Sequence, residues 1–423
     1  MSKNEILYYP FLSLLCFLSW NSPVFGTKYL ASKPIRTIQG LEAAPWEKVE
    51  CWRDNSPYFK EEKFLPTTAH LAHSIFGNAV FKGFGTQTPH SSYFLLHYGK
   101  NWQKKKKRPV LLVHGAASDA TRSFGARYFD GSLGLLFTLE KKGYPVFAIT
   151  FPNAQGNLFY QSEHISNALK IITQKTGFRK INIICHSAGG ISTRMYLTSF
   201  RQKWGTPYQK NVYKVIFVAT PHKGIDFIFR HPVAFIRFAA YGMPCPWDWY
   251  KYMGDMKDKN LFCGAYPMQL QLLFDLTKDY PLKKGEPDWY TTFYGGKGYI
   301  SKSRGIRKAI ALGGYHMARL RKRPFPKDIQ VYLMAGTKKK LKYHSLQGRI
   351  EEEIGEYHGE SDGILFLKSA LDIQGLKKVG AKIMDYKVFP MNHVELLYLK
   401  EAQKWILEKL EEKNGYKKVA KKK

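Results

Sequence analysis

The sequence predicts an α/β fold in which a mostly parallel central sheet carries helices on both faces. Short apolar strands alternate with segments of helical spacing along most of the 423 residues, a pattern typical of parallel sheets that are buried on both faces. The sequence is 44% hydrophobic and 15% aromatic, so it can form a large core. The alternation stops over residues 225–323, which are dense in aromatic side chains.

The individual elements follow from the local pattern. The predicted strands are apolar runs, and the helices carry apolar residues three or four positions apart, as at Ile165, Leu169 and Ile172. The predicted strands are 93–97, 110–113, 144–151, 180–185, 212–219, 329–335 and 383–389, and the main predicted helices are 132–142, 161–176, 191–200 and 394–410. Segment 225–323 follows a strand, so we interpret it as a cap or lid above the strand ends, where open α/β sheets bind ligands. The alternative is that this segment forms a second hydrophobic core and does not act as a cap or lid.

The first 26 residues have the features of a secretory signal peptide. Lys3 precedes the apolar run 6–20, and Val24 and Gly26 occupy positions that a signal peptidase prefers. The run is too short to cross a bilayer comfortably. We predict cleavage near Gly26, a secreted or periplasmic protein, and a main domain over residues 27–410. An uncleaved N-terminal anchor is the alternative.

The net charge of +33 favours anionic partners such as acidic membrane surfaces or polyanions. Lysines cluster at 104–107, at 338–340 and in the basic C-terminal tail, 411–423. The first two clusters flank predicted strands, so we expect them on connecting turns. A general lysine bias would produce the same composition, and no nucleic-acid motif accompanies the charge.

Cysteine usage fits an exported protein without a metal site. Four of the five cysteines remain once Cys16 is removed with the signal. Cys245 and Cys263 lie in one loop-rich region and are the best candidates for a disulfide. No cysteine pair has metal-ligand spacing, and the sequence indicates no cofactor.

Residues 181–190, INIICHSAGG, predict a strand, a sharp turn and a helix. A serine at such a turn exposes its hydroxyl, and the residues two before and two after it must be small. Cys185 and Gly189 occupy those positions. We assign Ser187 as the nucleophile, because Cys185 inside a sheet would lack both access and a base. His186 is not that base, because adjacent residues at a tight turn point apart. The alternative is a buried strand that ends in a glycine turn.

Two later residues complete a candidate triad. Asp362, followed by Gly363, lies in the long connection after strand 329–335, and His393 directly follows the last strand. Each has a simpler interpretation when taken alone, Asp-Gly as an ordinary turn and the histidine as an exposed side chain. Their order after Ser187 predicts an acid that orients a base. Glu360 and Asp385 are the next acids to consider.

An oxyanion hole needs two backbone N–H groups aimed at the developing charge. One candidate is Ala188, directly after the predicted nucleophile. The other is Ala116, because the sequence His114-Gly115-Ala116 follows the buried strand 110–113. Gly115 would let the backbone turn in closely.

Five stretches, LLVHGAAS, CHSAGG, ATPHKG, SDGILFLKSA and NHVEL, together resemble the secreted bacterial triacylglycerol lipases of the α/β-hydrolase superfamily. The resemblance covers residues 110–410 in motif order. It implies that Ser187 attacks, that Asp362 orients His393 and that Ala116 provides the second oxyanion donor. It also implies that His222, within ATPHKG, has a structural role.

The sequence departs from that family at two site positions. Cys185 stands where the family has glycine, and Ala116 stands where many of these lipases have a large apolar residue. Both departures put in question which acyl chains the protein accepts more than which reaction it catalyses. Many such lipases also bind a structural calcium, whose ligands the sequence does not identify.

The residues and the resemblance together imply a secreted serine hydrolase that cleaves carboxylic esters of lipids through an acyl-enzyme. A short-chain esterase, a phospholipase, an acyltransferase or a polyester depolymerase would use the same triad. A non-catalytic protein that binds polyanions or membrane surfaces is the alternative of a different class. The implied partners are a lipid or other ester substrate and an anionic membrane surface, and the pattern assigns no oligomeric state.

Overall fold

The computed structural model describes residues 29–62, 78–230, 267–282, 305–345, 348–353, 356 and 358–412. The predicted signal peptide, the Cys245–Cys263 pair, most of the insertion and residues 413–423 lie outside the described residues.

The strands form one large sheet and one separate hairpin within the described residues. The strands of the sheet are β1 (Arg36–Gln39), β2 (Lys48–Arg53), β3 (Tyr93–Tyr98), β4 (Val110–Val113), β5 (Val146–Thr150), β6 (Ile181–His186), β7 (Val212–Val218), β8 (Gln330–Gly336) and β11 (Lys382–Phe389). The hairpin consists of β9 (Leu341–Ser345) and β10 (Gly348–Glu352).

The order of strands in the sheet is β1-β2-β3-β5-β4-β6-β7-β8-β11. The pairs β5–β4, β4–β6, β6–β7, β7–β8 and β8–β11 are parallel, whereas β3 runs antiparallel to both β2 and β5, and β1 antiparallel to β2. The predicted mostly parallel sheet is therefore confirmed, and each of the predicted strands is present. Strands β1 and β2 and the hairpin were not predicted.

Helices connect these strands. They are α1 (Asn78–Phe84), α2 (Leu135–Lys141), α3 (Leu158–Thr176), α4 (Ala188–Leu197), α5 (Phe227–Arg230), α6 (Pro267–Leu272), α7 (Gly305–Leu312), α8 (His316–Leu320), α9 (Leu367–Ala370), α10 (Ile373–Lys378), α11 (Glu395–Tyr398) and α12 (Lys400–Glu411). The predicted closing helix 394–410 is divided at Leu399, whose backbone is extended with φ −75° and ψ 141°.

The core lies on both faces of the sheet, as predicted. Successive strand residues point to opposite faces. Leu112 and Ile184 therefore pack on the face covered by α2 and α12, while Leu111 and Ile183 pack on the face covered by α3 and α4. This arrangement buries both sides of the parallel strands and leaves their carboxyl ends as the edge where connecting loops converge.

The described parts of the insertion 225–323 contain the four short helices α5 to α8. Among the described residues, no helix combines the length and the apolar character of a membrane span. The lysines at 104–107 lie between β3 and β4 and those at 338–340 between β8 and β9, so both clusters are on connections between strands.

Candidate active site

Ser187 lies at the sharp turn between β6 and α4. Its backbone has φ 53° and ψ −132°, a conformation that a non-glycine residue adopts only when its surroundings enforce it. Its N–H donates to the carbonyl of Val218 over 2.9 Å, and its carbonyl accepts from Gly190 over 2.9 Å. Ser187 is partly exposed between buried neighbours. The turn thus has the strand, serine and helix arrangement that the sequence predicted.

Close packing around this turn explains its small residues. A Cβ atom on Gly189 would lie 2.1 Å from the carbonyl oxygen of His114, and one on Gly190 would lie 1.9 Å from Oγ1 of Thr220. Cys185 is fully buried in β6, with its Sγ 3.6 Å from the carbonyl oxygen of Ile216. Burial also raises the pKa of the Cys185 thiol, so the group is shielded and held as the poorly nucleophilic thiol.

Asp362 and His393 are hydrogen-bonded to each other. Nδ1 of His393 donates to Oδ2 of Asp362 over 2.8 Å, and the His393 amide donates to the Asp362 carbonyl over 2.9 Å. The other carboxylate oxygen, Oδ1, accepts from the amides of Ile364 and Leu365 at 3.0 and 2.8 Å. Because Nδ1 carries the proton in neutral His393, Nε2 is left as the basic nitrogen.

Glycines bring the acid and base loops together at the end of β8. A Cβ on Gly336 would lie 2.2 Å from the carbonyl oxygen of Met391 and 3.0 Å from Cβ of Asp362. Gly363 has φ +92°, and a Cβ there would lie 2.6 Å from the carbonyl oxygen of Lys339. Only glycine fits these two approaches without a shift of the backbone.

Asn392 holds the turn that leads from His393 into α11. Its Oδ1 accepts from the amides of Val394 and Glu395, and its Nδ2 donates to the carbonyl of Lys340. The Glu395 carboxylate accepts in return from the Asn392 amide over 3.0 Å. Sequence reasoning missed this residue, although the spacing of Asn392 and Glu395 is that of a capping box.

The second predicted loop of the site also approaches Ser187. A Cβ on Gly115 would lie 2.6 Å from Cβ of Ser187, so this turn packs directly against the predicted nucleophile. His114 supports the turn, because its Nδ1 donates to the Gly115 carbonyl over 2.7 Å and its Nε2 accepts from the Phe151 amide. Ala116 and Ala188 border the same pocket as Ser187. The structure therefore brings both predicted oxyanion donors beside the serine.

An apolar pocket opens beside Ser187. Its lining consists of apolar side chains with Ser187 and two glutamines: Ala116, Gln155, Ser187, Ala188, Pro221, Ile225, Phe227, Gln269, Leu272, Leu273, Ile364 and Leu365. Residues 225, 227, 269, 272 and 273 belong to the insertion, which thus forms part of the wall. Residues 364 and 365 follow Asp362 directly.

The other residues considered from the sequence lie elsewhere or are inert. Asp385 forms an ion pair with Lys409 at 2.7 Å, and Glu360 is exposed. His222 is fully buried, with its ring edge-on to Phe217 at a centroid distance of 4.7 Å. Burial holds the pKa of His222 well below its ordinary value, so its ring is a neutral packing group.

His186 makes a contact that the sequence did not predict. Its Nε2 donates to the carbonyl oxygen of His393 over 3.0 Å, and the two ring centroids are 4.6 Å apart. The residue before the predicted nucleophile therefore touches the residue predicted as the base. Within the described ranges, no group of three or more His, Cys, Asp or Glu side chains is arranged to hold a metal ion.

Comparison with known proteins gives the class of the fold. Residues 137–233 match a family model described as "Alpha/beta hydrolase of unknown function (DUF915)". No curated protein matches the sequence. Together with the sheet and the serine turn after β6, the match identifies the α/β-hydrolase fold. The resemblance predicted from the sequence motifs is thereby confirmed at the level of the α/β-hydrolase superfamily.

Several solved structures are similar to the chain. The mature form of a Bacillus licheniformis lipase is 16% identical, with 72% of this chain and 92% of that chain covered and a TM-score of 0.40. A thermostable carboxyl esterase from Bacillus coagulans, in complex with glycerol, is 13% identical, with coverages of 75% and 93% and a TM-score of 0.38. A monoacylglycerol lipase from Paleococcus ferrophilus is 14% identical, with coverages of 72% and 96% and a TM-score of 0.35.

Proposed function

We propose that the protein is a serine hydrolase that cleaves carboxylic esters of lipids, with Ser187 as nucleophile, His393 as base and Asp362 as the orienting acid. One observation carries the proposal. A histidine hydrogen-bonded to a buried aspartate lies in a loop that is itself hydrogen-bonded to His186, the residue next to a strained serine. This arrangement supports nucleophilic catalysis, which needs a nucleophile, a base and a group that orients the base.

The chemistry follows from the hydrogen bond between Asp362 and His393. Nε2 of His393 takes the hydroxyl proton of Ser187 as Oγ attacks the ester carbonyl carbon. Asp362 stays ionised and stabilises the imidazolium, while the N–H groups of Ala116 and Ala188 stabilise the oxyanion. The imidazolium then gives its proton to the leaving alcohol, which departs and leaves an acyl-enzyme. Water attacks this ester with His393 again as base, which releases the carboxylic acid and restores Ser187.

The pocket supports an apolar acyl group as the part of the substrate that lies beside Ser187. Ten of its twelve lining residues are apolar or are Ser187 itself, and two are glutamines. The net charge of +33 supports action at an anionic lipid surface. The signal-peptide prediction adds export to the proposal.

Turnover of a series of nitrophenyl esters tests the assignment. Ser187→Ala should abolish hydrolysis, whereas Ser192→Ala, which removes a buried serine from the helix α4 that begins directly after Ser187, should retain it. Rates that rise with acyl length and increase when the substrate exceeds its solubility would indicate a lipase. Rates highest on short, dissolved esters would indicate a short-chain esterase instead. Hydrolysis that survives in Ser187→Ala would rule out the proposed nucleophile.

The non-catalytic alternative is tested separately. A fluorophosphonate probe should label the native protein at Ser187, because the probe requires an activated serine. A protein that binds acidic vesicles in a salt-dependent manner but is not labelled would be a binding protein on this scaffold.

A further inference from the structure

The imidazole of His186 is hydrogen-bonded to the loop that carries His393. It donates from Nε2 to the carbonyl oxygen of His393 over 3.0 Å, and its ring lies 4.6 Å from the His393 ring at an interplanar angle of 47°. The two residues are 207 positions apart in the chain. The contact therefore joins the strand that carries Ser187 to the loop that carries His393.

The same imidazole also borders the turn that holds Ala116. A Cβ placed on Gly115 would lie 3.3 Å from Nδ1 of His186 and 2.6 Å from Cβ of Ser187. His186 thus lies between the two loops that must approach the nucleophile, and the residue is buried, with 7% of its surface exposed. A change in the size or hydrogen bonding of this side chain would be transmitted to both loops.

We propose that His186 is a positioning residue that holds His393 in line with Ser187. The inference rests on the proposed function. Asp362 orients His393 through its ring Nδ1 and its amide, and His186 holds the remaining backbone group, the carbonyl. A buried carbonyl without a donor is unfavourable, so loss of the bond would favour rotation of that peptide. A displacement of about 1 Å at a reacting group costs on the order of 100-fold in rate.

Burial keeps the His186 imidazole neutral, which matters because the neighbouring His393 becomes charged during the reaction. Desolvation, together with the neighbouring His393, holds the pKa of His186 well below its ordinary value. His186 is therefore neutral when His393 becomes an imidazolium, and no like charge opposes that protonation. The neutral tautomer with its proton on Nε2 is also the one that the carbonyl acceptor requires.

Two substitutions separate the hydrogen bond from simple packing. His186→Phe keeps an aromatic ring but removes the donor, whereas the amide nitrogen of His186→Gln can reach the position of Nε2. We expect His186→Phe to lower kcat by about 10- to 100-fold with KM changed less than about twofold. His186→Gln should recover most of that kcat, and His186→Asn, whose shorter amide cannot reach the carbonyl, should not.

The matched control is His164, which is also fully buried and bonded through Nε2 to a backbone carbonyl, that of Ser91, at 2.8 Å. His164→Phe should leave kcat unchanged. A structural readout comes from the proton NMR signal of the His393 Nδ1–H bonded to Asp362. That signal should shift or broaden in His186→Phe and stay in place in His164→Phe.

The outcomes separate this inference from the proposed function. If Ser187→Ala is inactive but His186→Phe has the native kcat, the positioning role is wrong and the triad is unaffected. Equal losses in His186→Gln and His186→Asn would also overturn it, even if His186→Phe failed to fold. Full activity in Ser187→Ala would contradict the proposed function itself.

Discussion

His393 is held by Asp362 at two points, because Nδ1 of its ring lies 2.8 Å from Oδ2 and its amide nitrogen lies 2.9 Å from the carbonyl oxygen of the same residue. Side chain and backbone of the histidine are thus fixed by one partner. That partner is itself held by the amides of Ile364 and Leu365. The pair forms a rigid unit at the end of the sheet, with Nε2 available for proton transfer.

Asp362→Asn should lower kcat by about 10⁴-fold, because an amide would favour the tautomer with the proton on Nε2 and remove the charge that stabilises the imidazolium. Asp385→Asn provides the control, since that carboxylate, on β11, is paired with Lys409 of α12. Steady-state kinetics on one soluble ester measures both. A loss below tenfold in Asp362→Asn, or a large loss in Asp385→Asn, would indicate that an acid other than Asp362 orients His393.

Gly115→Ala should impair catalysis more than folding. The new Cβ would lie 2.6 Å from Cβ of Ser187, which pushes the turn and the Ala116 amide away from the serine. We expect kcat to fall by about 10²- to 10³-fold, the cost of one oxyanion donor. Gly143→Ala is the comparison, because a Cβ there meets nothing within 4 Å and the residue precedes β5, at the strand ends opposite Ser187. Its φ of +78° should cost stability, but kcat per folded molecule should stay native. Native kcat in Gly115→Ala would argue against Ala116 as a donor.

Cys185→Gly should keep the native kcat per folded molecule. Cys185 is fully buried two residues before the turn, and glycine is the residue expected at that position in the lipases that the motifs resemble. The lost side chain and the extra backbone freedom should cost about 1–2 kcal/mol in the free energy of unfolding. Kinetics and urea unfolding measured on the same preparation check both expectations. Inactivity in a well-folded variant would return Cys185 to consideration as the nucleophile.

Lys214→Met should destabilise the fold without affecting catalysis. The ammonium of Lys214, a buried residue of β7, donates to three carbonyls at the end of α12. These are the carbonyls of Lys409 and Leu410 and that of Glu412 directly after the helix, at 2.6, 3.3 and 2.7 Å. Loss of this cap should cost about 1–3 kcal/mol in the free energy of unfolding. Lys400→Met, at an exposed position of the same helix, should cost much less. Equal effects of the two substitutions in urea unfolding would show that the buried cap contributes little.

The interior of the sheet was predictable because its strands are continuous apolar runs. Strand 110–113 was predicted with its observed bounds, since nothing polar interrupts it. Strand β2 was missed because Lys48 and Glu50 interrupt its pattern. The Glu50 carboxylate is buried and accepts hydrogen bonds from the ammonium of Lys48 and the indole of Trp52, a compensation visible only in the folded chain.

The motifs of the candidate site are visible in the sequence, but the contacts that support them are not. Ser187, Asp362 and His393 each come after a predicted strand in a recognisable motif, and their order predicts a triad. The contact between His186 and the His393 carbonyl depends on how two distant loops approach in three dimensions. The sequence indicated only that His186 was not the base for its neighbour.

Mass spectrometry of the trapped acyl-enzyme tests the central claim most directly. The protein is mixed with a nitrophenyl ester, quenched in acid during turnover and digested. We expect the mass of one acyl group on the peptide that contains Ser187, fragmentation that assigns it to Ser187 and not Cys185, and no adduct in Ser187→Ala. An adduct on another residue, or rapid hydrolysis that persists in Ser187→Ala, would contradict nucleophilic catalysis by Ser187.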